Sequence, residues 1–189
     1  MKSILITSWL LLSSLGLHAQ AQAPTETTLP VDTETKRVTY TGVVPVAGVT
    51  KSELYTRAKL WLAFTYDEAK DVIKVDEKDA GLLVIRAYSD VPVRLSQTDL
   101  QPTSRELGYT MVLNFKDGRY KYTLTNYQLM TLGASNTLEQ EIVAQLAKPK
   151  SKGIYTAKQY AESIEAFAKA LAGSLDLTLQ KPVSGDDEW

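Results

Sequence analysis

Two stretches of the chain alternate between apolar and polar residues and predict a β-hairpin. Apolar or aromatic residues occupy every second position of 109–115 and again of 120–124, and Asp117-Gly118 lies between the runs. An Asp-Gly pair in this setting favours a two-residue turn of the primed type, with positive φ at both central residues. The resulting register places six side chains on one face, the expected core face: Phe115 opposite Tyr120, Leu113 opposite Tyr122, and Met111 opposite Leu124.

Shorter apolar runs predict the remaining strands of the sheet. Residues 37–46 alternate, and Pro45 should lie at the end or on the edge of this strand because proline donates no ladder hydrogen bond. Residues 72–75 predict a short strand, which a charged turn separates from a longer strand at 82–88, continuing through 91–95 past Pro92. Residues 96–108 are polar and predict a loop.

A helical period begins after Thr50. Thr50 and Glu53 have the spacing of a capping box, and Val49 and Leu54 have that of a hydrophobic staple. Glu53 and Arg57 form an i,i+4 pair that we expect on the solvent side of the helix, which ends near residues 64–66. The expected buried stripe consists of Leu54, Ala58, Trp61, Leu62 and Thr65.

The same start signal recurs before a second long helix. Thr156 and Gln159 repeat the capping box, between Tyr155 and Tyr160 as a staple, and Gly173 is either its C-terminal cap or a glycine tolerated inside it. The expected buried stripe is Ile164, Phe167, Ala168, Leu171 and Leu175; the exposed pairs are Lys158 with Glu162 and Glu165 with Lys169. A short helix through Leu138, Ile142, Val143 and Leu146 and a basic loop at 148–153 precede it.

This order of elements predicts an α+β fold. The expected architecture is a curved, mainly antiparallel sheet with two long helices packed on one face, in the order β-α-β-β-β-β-α. Short connections between strands make most of the pairing antiparallel. We expect a single domain at 37–180, preceded by a flexible leader at 22–36 and followed by a disordered tail at 181–189.

Residues 1–21 have the pattern of a secretory signal peptide. A charged Lys2 precedes an apolar run of about 14 residues, which is shorter than the roughly 20 that a membrane-spanning helix needs. The small residues Ala19, Ala21 and Ala23 then supply a cleavage site. We expect cleavage between Ala21 and Gln22, with the bonds after Ala19 and Ala23 as neighbouring alternatives. The mature chain would be exported to the periplasm or cell envelope and would not span the membrane.

Composition narrows the chemistry that such a chain can perform. Its 189 residues include 21 Lys and Arg, 22 Asp and Glu, one His and no Cys, for a formal net charge of −1. This balance argues against a nucleic-acid partner. Because His18 lies in the predicted signal peptide, the mature chain lacks imidazole and thiol chemistry, and no phosphate-binding loop or EF-hand motif occurs. We expect no catalytic, cofactor-binding or metal-binding residues.

Acidic clusters are the remaining candidates for chemistry, and each also has a structural explanation. Asp76, Glu77 and Asp79 could form a weak calcium site or a carboxylate pair, but a solvated turn interrupted by Lys78 explains them better, because calcium needs about six to eight oxygen ligands. Glu162 and Glu165 lie one helical turn apart, and each has a lysine four residues away. Three further acids lie in or beside poorly patterned segments: Asp90, Asp99 and Glu106.

Aromatic and basic side chains offer two possible binding surfaces. An aromatic platform for a sugar or peptide would consist of Tyr40, Tyr109, Tyr120 and Tyr122, although their periodicity places them on the core face. Trp61 is expected in the core and Trp189 in solvent. A contact with an anionic partner would use Lys148, Lys150 and Lys152, which otherwise form a solvated loop.

Several segments near the start of the predicted domain resemble the domain-of-unknown-function family 4468. They are Leu29-Pro30-Val31-Asp32, the strand sequence Val-Thr-Tyr-Thr-Gly-Val-Val at 38–44, and the helix start and Leu-x3-Ala-x2-Trp pattern at 48–62. The resemblance is strongest over 29–87. It implies a fold like that of the TATA-binding protein and an exported bacterial protein. It brings no functional residues, and the fold name does not imply DNA binding.

We interpret the chain as a non-catalytic binding or accessory module of the bacterial cell envelope, whose partner is an envelope protein or glycan. The alternative is a carboxylate-based envelope hydrolase, such as a glycoside hydrolase, which requires two carboxylates facing one cleft. A third hypothesis is a small-ligand binder that uses the uncovered sheet face. That face would need exposed apolar or aromatic residues, whereas its predicted positions are largely Thr, Lys and Asn.

Overall fold

The computed structural model describes residues 29–94, 98, 100–131, 134–148 and 150–182, with the side chains of 131, 134 and 150–154 left undescribed. The predicted signal peptide and its cleavage residues Ala21 and Gln22 lie outside this part, as do Asp99 and Trp189. The same is true of residues 22–28 of the predicted leader and 183–189 of the predicted tail. Residues 32–36, at the end of the predicted leader, form a turn held by Asp32, and Val31 bridges Val38.

The described residues fold into one antiparallel sheet with helices on one face, which confirms the predicted α+β architecture. The strand order is β1-β5-β4-β3-β2, and β6 also pairs with β5. The elements are β1 (Tyr40–Pro45), α1 (Lys51–Thr65), α2 (Ala69–Val72), β2 (Ile73–Glu77), β3 (Leu82–Val93), β4 (Thr103–Lys116), β5 (Arg119–Thr131), β6 (Ala134–Thr137), α3 (Leu138–Leu146) and α4 (Lys150–Leu179).

The β4–β5 hairpin has the predicted register. Phe115 pairs with Tyr120, Leu113 with Tyr122 and Met111 with Leu124. Its turn differs from the prediction, because Gly118 has a φ of 74° whereas Asp117 does not have positive φ. Positive φ at the second central residue alone is typical of a type II turn.

Contacts with the start of α1 explain this turn geometry. The carboxylate of Asp117 accepts a hydrogen bond from the backbone N–H of Lys51 at 2.6 Å, at the N-terminus of α1. The backbone N–H of Gly118 donates to the carbonyl of Val49 at 2.8 Å, and the Gly118 carbonyl accepts from Val46 at 2.8 Å. The turn therefore has hydrogen bonds to residues 46–51 as well as those within the hairpin.

A β-bulge in β5 was not predicted. Thr110 pairs with Thr125, but Gly108 pairs with Gln128, so β5 has an extra residue between these pairs. Asn126 has a φ of 56° at this point, a conformation that asparagine tolerates better than most residues. On one side of β5, β1 pairs before the bulge and β6 pairs after it.

Helix α1 has most of the predicted buried stripe, from Leu54 to Leu62, but the predicted burial of Thr65 is wrong, because Thr65 is exposed near the end of the helix. The helix also differs from the prediction at Arg57. Thr50 caps the helix by accepting from the N–H of Glu53 at 3.2 Å, whereas the Glu53 carboxylate accepts from Arg57 Nε at 3.0 Å. The predicted solvent-side location of Arg57 is wrong, since this residue is only 6% exposed. Its Nη1 donates to the carbonyl of Leu179 at 2.6 Å, the last residue of α4.

The structure also corrects two predicted loops. Helix α4 begins at Lys150, so the segment 150–153 is helical and Thr156 lies inside the helix, where it is buried. Pro149 precedes this start, and proline is compatible with the first turn of a helix. The predicted loop at 96–108 is strand from Thr103 onward, because β3 extends to Val93 and pairs with it. Gly173 lies inside α4, so it is a glycine tolerated within the helix and not its C-terminal cap.

The core lies between the inward face of the sheet and the long helices. Trp61 is 3% exposed, as predicted, and its Nε1 donates to Ser174 on α4 at 3.1 Å. Tyr55 of α1 packs edge-on against Phe115 of β4, and Phe167 of α4 packs in the same way on Tyr109. These contacts place both helices on one face of the sheet and leave its other face without a covering helix among the described elements.

Candidate binding face

The face of the sheet opposite α1 and α4, here called the open face, is rich in threonine. Thr39, directly before β1, and Thr41 of β1 lie beside Thr125 and Thr123 of β5, with hydroxyl oxygens 3.0 Å and 3.2 Å apart respectively. Such cross-strand pairs stabilise the sheet surface. The prediction that outward positions are largely Thr, Lys and Asn therefore holds for these residues, but the face also carries Val43 and Tyr88, which are exposed. The third hypothesis, a small-ligand face, would depend on these two side chains.

Large exposed side chains are sparse on the open face. Tyr88 is 53% exposed, and its ring lies over Gly108, where an added Cβ would come within 2.9 Å of the Tyr88 ring. Val43 is 62% exposed at the other end of the face. Tyr88 is thus occupied in covering a glycine on the neighbouring strand, while the side chain of Val43 is available for contacts.

A groove of about 470 Å³ lies on the open face beside Val43, and we call it the cationic groove. Sheet pairing forms it: Val43 lies opposite Lys121, Lys121 opposite Asn114, and Arg119 opposite Lys116. The lining residues are Val43, Asn114, Lys116, Arg119, Tyr120 and Lys121. Side chains from three strands, β1, β4 and β5, therefore meet there, although they are far apart in sequence.

The charges of the groove are not neutralised within the described part of the chain. Lys116, Arg119 and Lys121 are exposed, and none of them has an ion pair or side-chain hydrogen bond with another described residue. The one acid in the adjoining turn, Asp117, already accepts a hydrogen bond from the Lys51 backbone. A local excess of positive charge on a chain with net charge −1 attracts anionic partners.

The predicted tyrosine platform does not form. Tyr109 and Tyr120 are each 1% exposed. The hydroxyl of Tyr120 donates to Asp176 of α4 at 3.2 Å, and that of Tyr109 lies 2.7 Å from the Tyr66 hydroxyl. Burial, and then the charge of Asp176, raises the pKa of Tyr120. These rings are core residues, in agreement with the alternative that their periodicity favoured.

Two other tyrosines have buried hydroxyls without a hydrogen-bond partner in the described part of the chain. The rings of Tyr40 and Tyr127 pack edge to face with centroids 6.3 Å apart, and neither hydroxyl is paired. Burial raises the pKa of Tyr40 to about 12, with a smaller contribution from the Glu165 carboxylate. Both phenols are therefore kept neutral beneath α4.

The structure does not bring the predicted acidic clusters together as sites. Asp76 binds Lys59 of α1 at 2.6 Å, whereas Glu77 pairs with Leu82, whose side chain points to the open face. The carbonyl of Asp79 accepts from Lys51 Nζ at 2.7 Å. Within the described residues no group of three or more His, Cys, Asp or Glu side chains is arranged to hold a metal ion.

The acids of α4 form the predicted salt bridges. Glu165 binds Lys169 at 2.6 Å and Glu162 lies 3.6 Å from Lys158, each at i,i+4 spacing. These carboxylates therefore belong to a solvated helix surface.

Two of the acids are neighbours in the structure, which the sequence did not predict. Asp90 of β3 lies directly opposite Glu106 of β4, and both side chains are exposed on the open face. Directly opposed residues have Cβ atoms about 5 Å apart, and like charges in this position destabilise a sheet. Extending the β3–β4 hairpin through the predicted loop would have brought them together.

A polar network on α3 and the residues after it was also missed. Glu141 and Gln145 are only 8% and 7% exposed. Gln145 donates to Glu141 at 2.5 Å and accepts from Lys148 at 2.8 Å. Of the apolar residues that predicted this helix, Leu138 is buried, but Val143 is 67% exposed. Lys148, a predicted candidate for an anionic partner, is engaged inside this network.

An apolar groove of about 390 Å³ runs between the C-terminal halves of α1 and α4. Its exposed side chains include Leu60, Phe64 and Leu177, with Phe64 83% exposed. Lys181 and Arg57 provide its polar rim. None of the helices in the described residues has the length and apolar character required to cross a bilayer.

Comparison with known proteins agrees with the resemblance noted from the sequence. Residues 40–129 match a family described as a domain of unknown function (DUF4468) with a TBP-like fold. No significant match is found among curated proteins.

Two solved structures share the fold. A TBP-like protein from Parabacteroides distasonis superposes with a TM-score of 0.62 at 17% identity, over 82% of this chain and 98% of that one. A DUF4468 family protein from Bacteroides ovatus has a TM-score of 0.61 at 15% identity, over 78% of this chain and 89% of the other. At these sequence identities the likeness supports the fold, but it does not identify any functional residue.

Proposed function

We propose that this chain, which matches a TBP-like family of unknown function over residues 40–129, is an exported, non-catalytic binding or accessory module of the bacterial cell envelope. The partner is an anionic envelope component, and the cationic groove on the open face binds it. The observation behind this proposal is the convergence of Lys116, Arg119 and Lys121 at one place without a neutralising acid among the described residues.

Physical reasoning favours binding over a structural role for these three cations. Like charges side by side on a sheet repel one another and destabilise the folded chain. A cation that only maintained solubility would not need to lie beside two others of the same sign. An anionic partner offsets this repulsion, because its negative charges are attracted to all three cations. The binding free energy from this attraction is largest where the cations lie closest together.

The export part of the proposal depends on the N-terminal sequence. Lys2, the apolar run and the alanines at 19, 21 and 23 have the order of a signal peptide. N-terminal and intact-mass analysis of the protein from its own bacterium should find a chain that begins at Gln22, within two residues. Recovery of a chain that still begins at Met1 would refute export by this route.

Envelope capture tests the binding part of the proposal. Affinity-tagged wild-type protein would be cross-linked in the native envelope beside two variants: Lys116→Glu with Arg119→Glu, and the control Arg86→Glu. Arg86 is an exposed cation of the same face outside the groove. Wild type and control should recover the same acidic component, and the double variant should lose it. Equal recovery by all three proteins, or no specific recovery, would refute the proposal.

The opposed acids Asp90 and Glu106 are the specific observation in favour of the alternative, a carboxylate-based hydrolase. Retaining glycoside hydrolases place two carboxyl groups about 5–5.5 Å apart. These two acids, however, lie exposed on an open sheet surface instead of in a cleft that excludes water. Turnover of an envelope polysaccharide that is abolished by both Asp90→Asn and Glu106→Gln would favour the hydrolase.

A further inference from the structure

We infer that the anionic partner is an acidic polypeptide segment in an extended conformation, which adds to the sheet along the outer edge of β1 and lays its carboxylates over the cationic groove. This inference rests on the proposed function and specifies the class of its partner. Three features support it: a free strand edge, its distance from the cations, and the absence of a sugar-binding surface in the groove.

The first feature is the outer edge of β1. Among the described strands β1 pairs with β5 alone, so the backbone groups on its other side lack a strand partner. Both ends of this edge are occupied: the N–H of Thr39 donates to the carbonyl of Pro30 at 2.8 Å, and the carbonyl of Pro45 accepts from Gln180 Nε2 at 3.2 Å. The free stretch, 40–44, measures about 17 Å at 3.4 Å per residue and has room for a five-residue peptide strand.

The second feature is the position of the cations relative to that edge. Neighbouring strands lie about 4.8 Å apart, so an added strand would lie about 10 Å from β5. Lys121 of β5 is directly opposite Val43, and Arg119 is two residues away on the same strand. A glutamate on the added strand beside Val43 and a lysine side chain on β5 can bridge that separation. Alternate residues of the added strand would share this side.

The third feature separates a peptide from an acidic glycan. Protein sites for sugars commonly present an exposed aromatic ring, but Tyr120, the aromatic residue that lines the groove, is 1% exposed with its hydroxyl bound to Asp176. The exposed groove residue at the strand edge is the aliphatic Val43. An edge of backbone donors and acceptors beside cations on one face fits an extended peptide with an acid at every second position.

Defined probes test this inference on the mature-length protein. The main probe is a labelled octapeptide of alternating Glu and Val, compared with alternating Lys and Val. Two further versions of the acidic peptide are N-methylated at every Glu or at every Val, which removes one of the two alternate sets of backbone donors. Polygalacturonate serves as the acidic glycan probe. Binding is followed by fluorescence polarisation, and its location by backbone amide hydrogen exchange.

We expect the acidic peptide to bind about tenfold more tightly than the basic one, and about tenfold more weakly to the Arg119→Glu, Lys121→Glu double variant. Arg86→Glu should change the affinity less than about twofold, which controls for a charge reversal on the same face outside the groove. One N-methylated version should lose binding while the other keeps it. Exchange protection should appear in 40–44 and in no other strand edge.

Three outcomes would overturn the inference: equal binding of both N-methylated peptides, protection outside β1, or binding of polygalacturonate in preference to the acidic peptide. If all variants are folded and no probe binds, the inference also fails. The envelope capture separates this failure from that of the proposed function. If the envelope capture recovers an acidic glycan and the groove variant loses it, only the inference of a peptide partner is refuted. If the groove variant recovers the same component as the wild type, the proposed binding function itself is refuted.

Discussion

Replacement of Arg57 by methionine should destabilise the protein more than any exposed charge substitution. Arg57 joins two parts of the fold: Glu53 of its own helix through the carboxylate, and the end of α4 through the Leu179 carbonyl. The guanidinium is buried, and a cation at a helix C-terminus also interacts favourably with the helix dipole. Methionine keeps the apolar stem of the side chain and removes both hydrogen bonds.

The magnitude follows from the exposure of the two partners. Glu53 has 39% of its side chain exposed, so its ion pair is screened and contributes about 0.5 kcal/mol, near the value for surface pairs. The 2.6 Å bond to the Leu179 carbonyl is buried and charge-assisted, which corresponds to about 1.5–3 kcal/mol. We therefore expect a loss of about 2–3 kcal/mol for Arg57→Met. Arg57→Lys keeps the charge with shorter reach and should lose about 1 kcal/mol.

Urea unfolding followed by circular dichroism measures this loss, and thermal midpoints should fall by about 2–4 °C per kcal/mol. The matched control is Lys169→Met, which removes the exposed i,i+4 pair with Glu165 and should lose less than about 0.5 kcal/mol. Equal midpoints for Arg57→Met and Lys169→Met would refute the assignment of Arg57 as the residue that holds the end of α4 to α1.

Three further predictions concern the turn, the long helix and the buried phenols. Gly118→Val should lower the free energy of unfolding by about 1–2 kcal/mol, because Gly118 has a φ of 74°; an unchanged denaturation midpoint would contradict this. Gly173→Ala should raise it by about 0.5–1 kcal/mol, since an added Cβ meets no atom within 4 Å inside α4; a lower melting temperature would show hidden crowding. Because the pKa of Tyr40 is raised to about 12, its contribution to stability is complete below pH 10 and is lost as the pH rises through 12. Spectrophotometric titration of tyrosinate should show delayed ionisation in the native protein that disappears in urea.

Local patterns were sufficient to predict the hairpin and the helices. The register of Phe115 with Tyr120 follows from period-two alternation around Asp117-Gly118, and both features are local. The buried stripe of α1 follows in the same way from the helical period. The positive φ at Asn126 has only a weak local signal, because the sequence Thr-Asn-Tyr reads as continuous strand without a glycine.

Features that depend on two distant segments could not be predicted. A helical wheel places Arg57 on the exposed side of α1. Its burial cannot be predicted from α1 alone, because the carbonyl to which it donates belongs to a residue 122 positions later. The cations of the groove, by contrast, lie on one hairpin, and the predicted register already places Lys116 opposite Arg119. The part that could not be predicted is Val43, which only the pairing of β1 with β5 brings beside Lys121. The apolar spacing of α3 also did not reveal that Val143 is exposed while Glu141 is buried.

The pairing of β1 has a consequence for the order in which the molecule can assemble. Tyr40 pairs with Leu124 and Pro45 with Arg119, so each residue of the first strand pairs with one 74–84 positions later. Contacts of such high sequence separation form slowly, since a long loop must close before they contribute. The strand nearest the N-terminus therefore has no partner until β5 is present. Among the described strand pairs this one closes the longest stretch of chain, so β1 should be the slowest strand to join the sheet.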